Sequence, residues 1–97
     1  MPITLINVFK VPPDQEKDFI AGWEKTSARL VNKRGFIDAR LHRNTGRADK
    51  EFLYVNVAHW ETAEDLKNSD PKSIWDANTL PGVKDFPGIF EEVIKLP

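Results

Sequence analysis

The chain has 97 residues, fourteen basic against fifteen acidic, with a formal net charge of −1 and no cysteine. That length makes one small domain. The charge balance argues against a nucleic-acid binder, which needs a basic patch, and gives no attraction to an anionic membrane surface; without cysteine there is no disulfide framework, thiolate nucleophile or zinc–sulfur site.

The opening MPITLINVFKV has no basic stretch followed by a long apolar run, and no segment approaches the roughly 18 apolar residues of a membrane span, so a soluble, cytoplasmic domain is expected. Residues 3–11, ITLINVFKV, alternate as a strand: Ile3, Leu5, Asn7 and Phe9 share one face, and Thr4, Ile6, Val8 and Lys10 the other. Pro12-Pro13 ends it, because proline cannot donate to a ladder. From Asp14 to about Lys33 the spacing predicts a helix with Phe19, Ile20, Trp23, Ser27, Leu30 and Val31 on its apolar stripe and Gly35 as its cap. FIDARLHR, 36–43, is a second strand; a polar turn at 44–49 leads into a third at 51–60, forming a hairpin. Thr62-Ala63-Glu64-Asp65 resembles a capping box with Asp in place of Glu, opening a short helix through Leu66. Asp70-Pro71 restarts a helical piece containing Ile74 and Trp75. VKDFPG reads as an irregular connector, and IFEEVIKL at 89–96 as the last strand.

The order β-α-β-β-α-β predicts an α+β, ferredoxin-like domain over residues 1–97, a four-stranded antiparallel sheet of order 4-1-3-2 with both helices on one face. The bare face would then carry Thr4, Ile6 and Val8, with Leu53, Val55 and Val57 beside them. An apolar sheet of that size invites a partner, and the economical one is a second copy, sheet against sheet.

LYVNVAHW, 53–60, places an amide in the middle of a strand whose two faces are both largely apolar. Asn56 and Asn7 fall on the helix-facing side of adjacent strands. A buried amide without partners costs about 1–3 kcal/mol, so two readings stand side by side. In one, the amides satisfy each other or the backbone. In the other, they line a pocket walled by Trp60, Trp23 and Phe19. His42 sits between arginines near a strand end and reads as a rim residue; His59 lies on the face opposite Trp60.

Four features resemble the antibiotic biosynthesis monooxygenase family of the dimeric α/β-barrel superfamily: INVFKVPPDQEKDF at 6–19, RGFIDARLHRN at 34–44, FLYVNVAHWETAEDL at 52–66, and the element order. The resemblance implies a homodimeric enzyme that oxidises a small aromatic, phenolic or quinol substrate with O2 and without metal, haem or flavin. It implies catalytic roles for Asn56 and Trp60, with Asn7 as a second amide and Phe19, Trp23 and Trp75 as substrate-binding walls. The tyrosine and arginine that the quinone-forming members carry in the second helical region have no counterpart at 61–80. A haem-degrading branch shares the asparagine of the first strand, making haem binding and degradation the alternative; a non-catalytic small-ligand binder is a third.

Overall fold

The computed structural model describes residues 2–46, 53–69 and 80–97. The order is β1 (Ile3–Lys10), a 3₁₀ turn (Pro13–Gln15), α1 (Glu16–Ala28), β2 (Phe36–Arg43), β3 (Tyr54–Trp60), α2 (Ala63–Asn68) and β4 (Lys84–Phe90). The four strands form one antiparallel sheet in the order β2-β3-β1-β4, the expected 4-1-3-2. Trp75 and the predicted helical piece around it lie outside the described residues. Among the described residues no helix is long and apolar enough to cross a membrane.

Burial follows the period-two pattern. Along β1 buried residues alternate with half-buried ones, Ile3, Leu5, Asn7 and Phe9 being the buried set. On β3 the buried set is Tyr54, Ala58 and Trp60. These side chains make two core clusters under the helices. Ile3, Leu5, Ala58, Trp60 and Leu66 form one, and Phe9, Val11, Phe19 and Tyr54 the other. The opposite face, with Ile6, Val8, Val55 and Val57, is uncovered and only half-buried. Leu53, expected there, packs instead against the second cluster from its place ahead of β3.

Three boundaries differ from expectation. Helix α1 stops at Ala28 rather than near Lys33. Its last turn gives way to tight turns, with the N–H groups of Leu30, Lys33 and Phe36 donating to the carbonyls three residues back. The reason lies in the stripe: after Val31 come Asn32, Lys33 and Arg34, with nothing apolar to hold a further turn on the sheet. Val31 is carried out to 64% exposure. Thr26, polar and so outside the predicted stripe, is buried in its place. β3 is Tyr54–Trp60, without Leu53, and residues 51 and 52 of the expected strand lie outside the described residues.

β4 is the third and largest difference. The strand is Lys84–Phe90, the predicted connector, and the predicted strand 89–96 is regular only at its first two residues. Proline and glycine argued against a strand, but β4 pairs only with β1, at the margin of the sheet, where a missing donor is tolerated. The register explains where it ends. Phe90 pairs with Thr4, and β1 begins at Ile3, so the chain beyond Phe90 has run off the end of its partner. Val93, Ile94 and Leu96 are exposed there despite their alternation. Gly88 lets the Phe90 ring lie across it, since a Cβ at 88 would overlap that ring.

The entry to α2 follows the capping expectation, with the Asp65 N–H donating to Thr62 Oγ1 at 3.0 Å. Gly35 (φ +81°) makes the reversal into β2 and lies against the Asp65 side chain; its carbonyl accepts from the Glu61 N–H at 2.7 Å. Gly35→Ala combines a left-handed backbone with a clash at Asp65 and should cost at least about 1 kcal/mol, read as a lower midpoint in urea unfolding.

Candidate active site

The sheet register builds a low floor. Asn7, Asn56 and Leu41 form one row across β1, β3 and β2, and Ile3, Trp60 and Phe36 form another. Between them runs Leu5, Ala58 and Ala39. Two adjacent alanines leave the sheet surface low, and α1 passes over it with Trp23, Thr26 and Ser27, followed by Leu30 from the turn beyond its end. A cavity of about 60 Å³ remains between floor and helix, closed at one end by Asn56 and at the other by Trp60, with Leu66 and Ser69 at the side. No charged side chain among the described residues lines it.

Each polar group in this wall has a definite state. Asn7 is 2% exposed. Its Oδ1 accepts from the Phe86 backbone N–H at 3.0 Å, and its Nδ2 donates to Asp85 Oδ2 at 3.2 Å. It therefore fastens β4 to β1. Asn56 Oδ1 accepts from the Trp23 indole N–H at 3.3 Å. Backbone and indole N–H groups only donate, so chemistry fixes both amide orientations. Ser69 donates to the Leu66 carbonyl at 2.6 Å. Trp60 is 1% exposed and meets the Phe36 ring edge-on at 5.3 Å. Among the described residues its buried indole N–H has no partner.

Asn7, Asn56, Trp60 and Trp23 are thus brought together around one cavity. Phe19 is not: it is fully buried in the second core cluster, its ring 4.8 Å from Phe9 and 5.0 Å from Tyr54, and it lines no part of the cavity. Its position on α1, one turn before Trp23, carries it past the alanine floor and the asparagine row to the large side chains of Phe9 and Tyr54. Trp75 lies outside the described residues. His42 and His59, the only histidines in the chain, are both on the uncovered sheet face, opposite Val55 and Thr4 respectively. His59 Nδ1 lies 2.6 Å from Asp38 Oδ1.

Three contributors escaped the sequence reading. Thr26 was obscured by its polarity, though it stands three residues after Trp23 and seven after Phe19, a spacing that could have revealed it. Asp85 was hidden in the supposed connector. Tyr54 forms a separate network beside the cavity, its hydroxyl donating to Glu16 Oε1 at 2.7 Å and accepting from Arg43 Nε at 3.1 Å. Burial, and then the bond to Glu16, pushes its hydroxyl pKa above the ordinary tyrosine value. Tyr54 and Arg43 border an outer groove with Ile20 and Leu41, and Trp23 is the wall shared between groove and cavity.

The whole chain has close structural likenesses. A candidate monooxygenase from Shewanella loihica superposes with a TM-score of 0.81 at 26% identity, over 97% of this chain and 96% of that one. SnoaB, a cofactor-independent oxygenase from Streptomyces nogalater, gives 0.77 at 24% identity, over 99% and 97%. MhuD, a haem-degrader from Mycobacterium tuberculosis, gives 0.71 at 22%, over 98% and 99%. The latter two speak for the fold alone. No curated protein matches the sequence. The antibiotic biosynthesis monooxygenase profile matches residues 2–70, which span β1 through α2 and hold Asn7, Trp23, Asn56 and Trp60. The chain belongs to the antibiotic biosynthesis monooxygenase family.

Proposed function

We propose that this protein is a homodimeric, cofactor-independent monooxygenase that takes a small phenolic or quinol ring between sheet and α1, where the cavity of about 60 Å³ widens on binding, since a benzene ring alone needs about 150 Å³. The observation that carries this reading is the cavity itself, with Asn56 at one end and at the other Trp60, whose buried N–H has no partner among the described residues. An unpaired buried donor costs about 1–3 kcal/mol, and an oxygen atom on a bound ring would recover it. The apolar floor of Leu5, Ala39 and Ala58 suits the ring itself.

The cavity wall described above holds no base, so the protein favours a substrate anion by donating hydrogen bonds to its oxygen. The phenolic proton leaves to solvent. A phenolate shielded from water passes one electron to dioxygen, and the radical pair recombines at the ring carbon para to the oxygen. Protonation and loss of water complete a quinone. One oxygen atom becomes the new carbonyl, and the other leaves as water with the phenolic and para hydrogens. All four electrons come from the substrate, so no external reductant enters. Asn56 steadies the phenolate oxygen at one end, Trp60 donates to the oxygen that adds to the para carbon at the other, Trp23 walls the ring, and Asn7 holds the end of the sheet that bears them.

The uncovered sheet face supports the homodimer. Phe86 and Phe90 stand about half exposed beside Ile6, Val8, Val55 and Val57, a contiguous apolar surface of the kind that pairs with its own copy.

A haem site does not fit. Iron is ordinarily held by an axial histidine, cysteine or tyrosine. The chain has no cysteine, both histidines lie on the far side of the sheet, and Tyr54 is tied to Glu16 and Arg43.

Oxygen uptake with a panel of dihydroxynaphthalenes and anthrones tests the reading. Asn56→Ala and Trp60→Phe should each lower kcat by about 10²-fold, the loss expected for one oxyanion donor, while sedimentation still gives twice the chain mass. Unchanged turnover in both variants would reject the assigned residues, and no uptake with any substrate would reject the activity.

A further inference from the structure

The cavity wall has a polarity that its residue types alone do not reveal. Two asparagines should offer a ligand both oxygens and N–H groups. Here each oxygen already accepts from a donor on another element, which turns it toward that donor. Asn7 Oδ1 receives the Phe86 backbone N–H, and Asn56 Oδ1 receives the Trp23 indole N–H. What remains on the Asn56 side of the cavity is its Nδ2, for which the described residues supply no partner. At the other end stands the orphaned Trp60 N–H. The amide and indole groups left for a ligand are donors, with the Thr26 and Ser27 hydroxyls able to act either way and Ser69, which donates to Leu66, able to accept.

For Asn7 the arrangement is set by the backbone. For Asn56 it depends on one side chain from another element. An amide is nearly symmetric in shape, so Asn56 could turn over and present Oδ1 to the cavity. The turned amide would put Nδ2 against the Trp23 N–H, donor against donor. We propose that Trp23 is the positioning residue that fixes which end of the Asn56 amide faces the ligand, and so makes the cavity select an acceptor-only oxygen, a phenolate or enolate, over the protonated form. This rests on the proposed ligand class and extends it. The wall supplied by Trp23 is distinct from this function: phenylalanine would keep the wall and lose the N–H.

The probe is 4-nitrophenol, whose ionised form absorbs visible light apart from the neutral form, so the proton equilibrium of the bound molecule is read directly. Wild-type protein should bind the ionised form more tightly and lower the apparent pKa of the bound probe. In Trp23→Phe the preference for the ionised over the neutral form should fall about tenfold, the weight of one hydrogen bond to a charged group. In an Asn56→Ala background the same substitution should change the preference no further, because Trp23 acts through that amide. A purely structural Trp23 would lower affinity for both forms alike and leave the preference where it was.

The failures are separable. A lowered pKa that survives Trp23→Phe unchanged, or effects that simply add in the double variant, overturns the positioning role and leaves the ligand class intact. No saturable binding, or binding of both forms alike by the wild type, overturns the ligand class and the positioning role with it. A second readout needs no variant. The chain has three tryptophans, and the nitrogen-15 spectrum of their indoles should show the Trp60 N–H moving downfield when 4-nitrophenolate binds, while the Trp23 N–H keeps its bonded position. A Trp23 signal that moves as far as that of Trp60 overturns the proposal.

Discussion

Phe19→Ala is expected to lower the unfolding free energy by about 3–5 kcal/mol, the range for deleting a buried aromatic ring. Phe19 is fully buried, and its ring touches two others, Phe9 and Tyr54, at 4.8 and 5.0 Å. It is the point at which α1 is anchored to the second core cluster. A domain of this size has only about 5–15 kcal/mol in total, so the loss is a large share of it. Thermal unfolding followed by circular dichroism should show a midpoint lower by more than about 12 °C. A cost below about 1 kcal/mol would mean that Phe19 is not in a close-packed core. Because Phe19 does not line the cavity, whatever folded protein remains should keep its ligand preference.

Asn7→Leu is expected to loosen β4 in particular. Asn7 is the side chain that receives the Phe86 N–H and donates to Asp85, and leucine offers neither group. The cost should be about 1–3 kcal/mol, with faster amide exchange confined to 84–90 while β2 and β3 keep their protection. Uniform acceleration across the sheet would contradict a local fastening role. Asn7→Asp separates the two bonds. It keeps an acceptor for Phe86 but sets a second carboxyl beside Asp85. Two carboxyls at that distance raise the pKa of one of them in the folded state. The stability it contributes is therefore present below the ordinary carboxylate range and is lost as pH rises through the raised value. Asn7→Asp should thus be most nearly normal in acid and weakest at neutral pH, whereas Asn7→Leu should show no such slope.

What could be read in advance follows from period and parity. Asn7, Asn56 and Trp60 were placed on one face because alternation leaves no choice once Leu5, Ala58 and Phe9 are buried. Strand order followed from the element order. The failures share a cause, which is that they depend on what an element meets rather than on its own pattern. IFEEVIKL has a good strand pattern, but β1 ends before it can be paired. KDFPG has a poor one, but lies at the sheet margin, where poor patterns are tolerated. Trp23 was expected as a wall and is one. The direction of its N–H, which decides what Asn56 offers, depends on a residue thirty-three positions away and leaves no trace in local spacing. Phe19 was assigned to the cavity because aromatic type says nothing about whether a large or a small side chain sits opposite, and the alanines that make the hollow are two rows further along.

The uncovered sheet has a bearing on how the molecule behaves in solution. With a net charge of −1, a lone subunit has almost no long-range repulsion to keep strangers off that greasy plane. In the proposed dimer, colloidal tolerance would come from closure instead. A two-fold handshake consumes the plane on both members and leaves no complementary surface on which a third could dock. Crowding or acidification toward the isoelectric point should then be harmless to the mated form and hazardous to any unmated one.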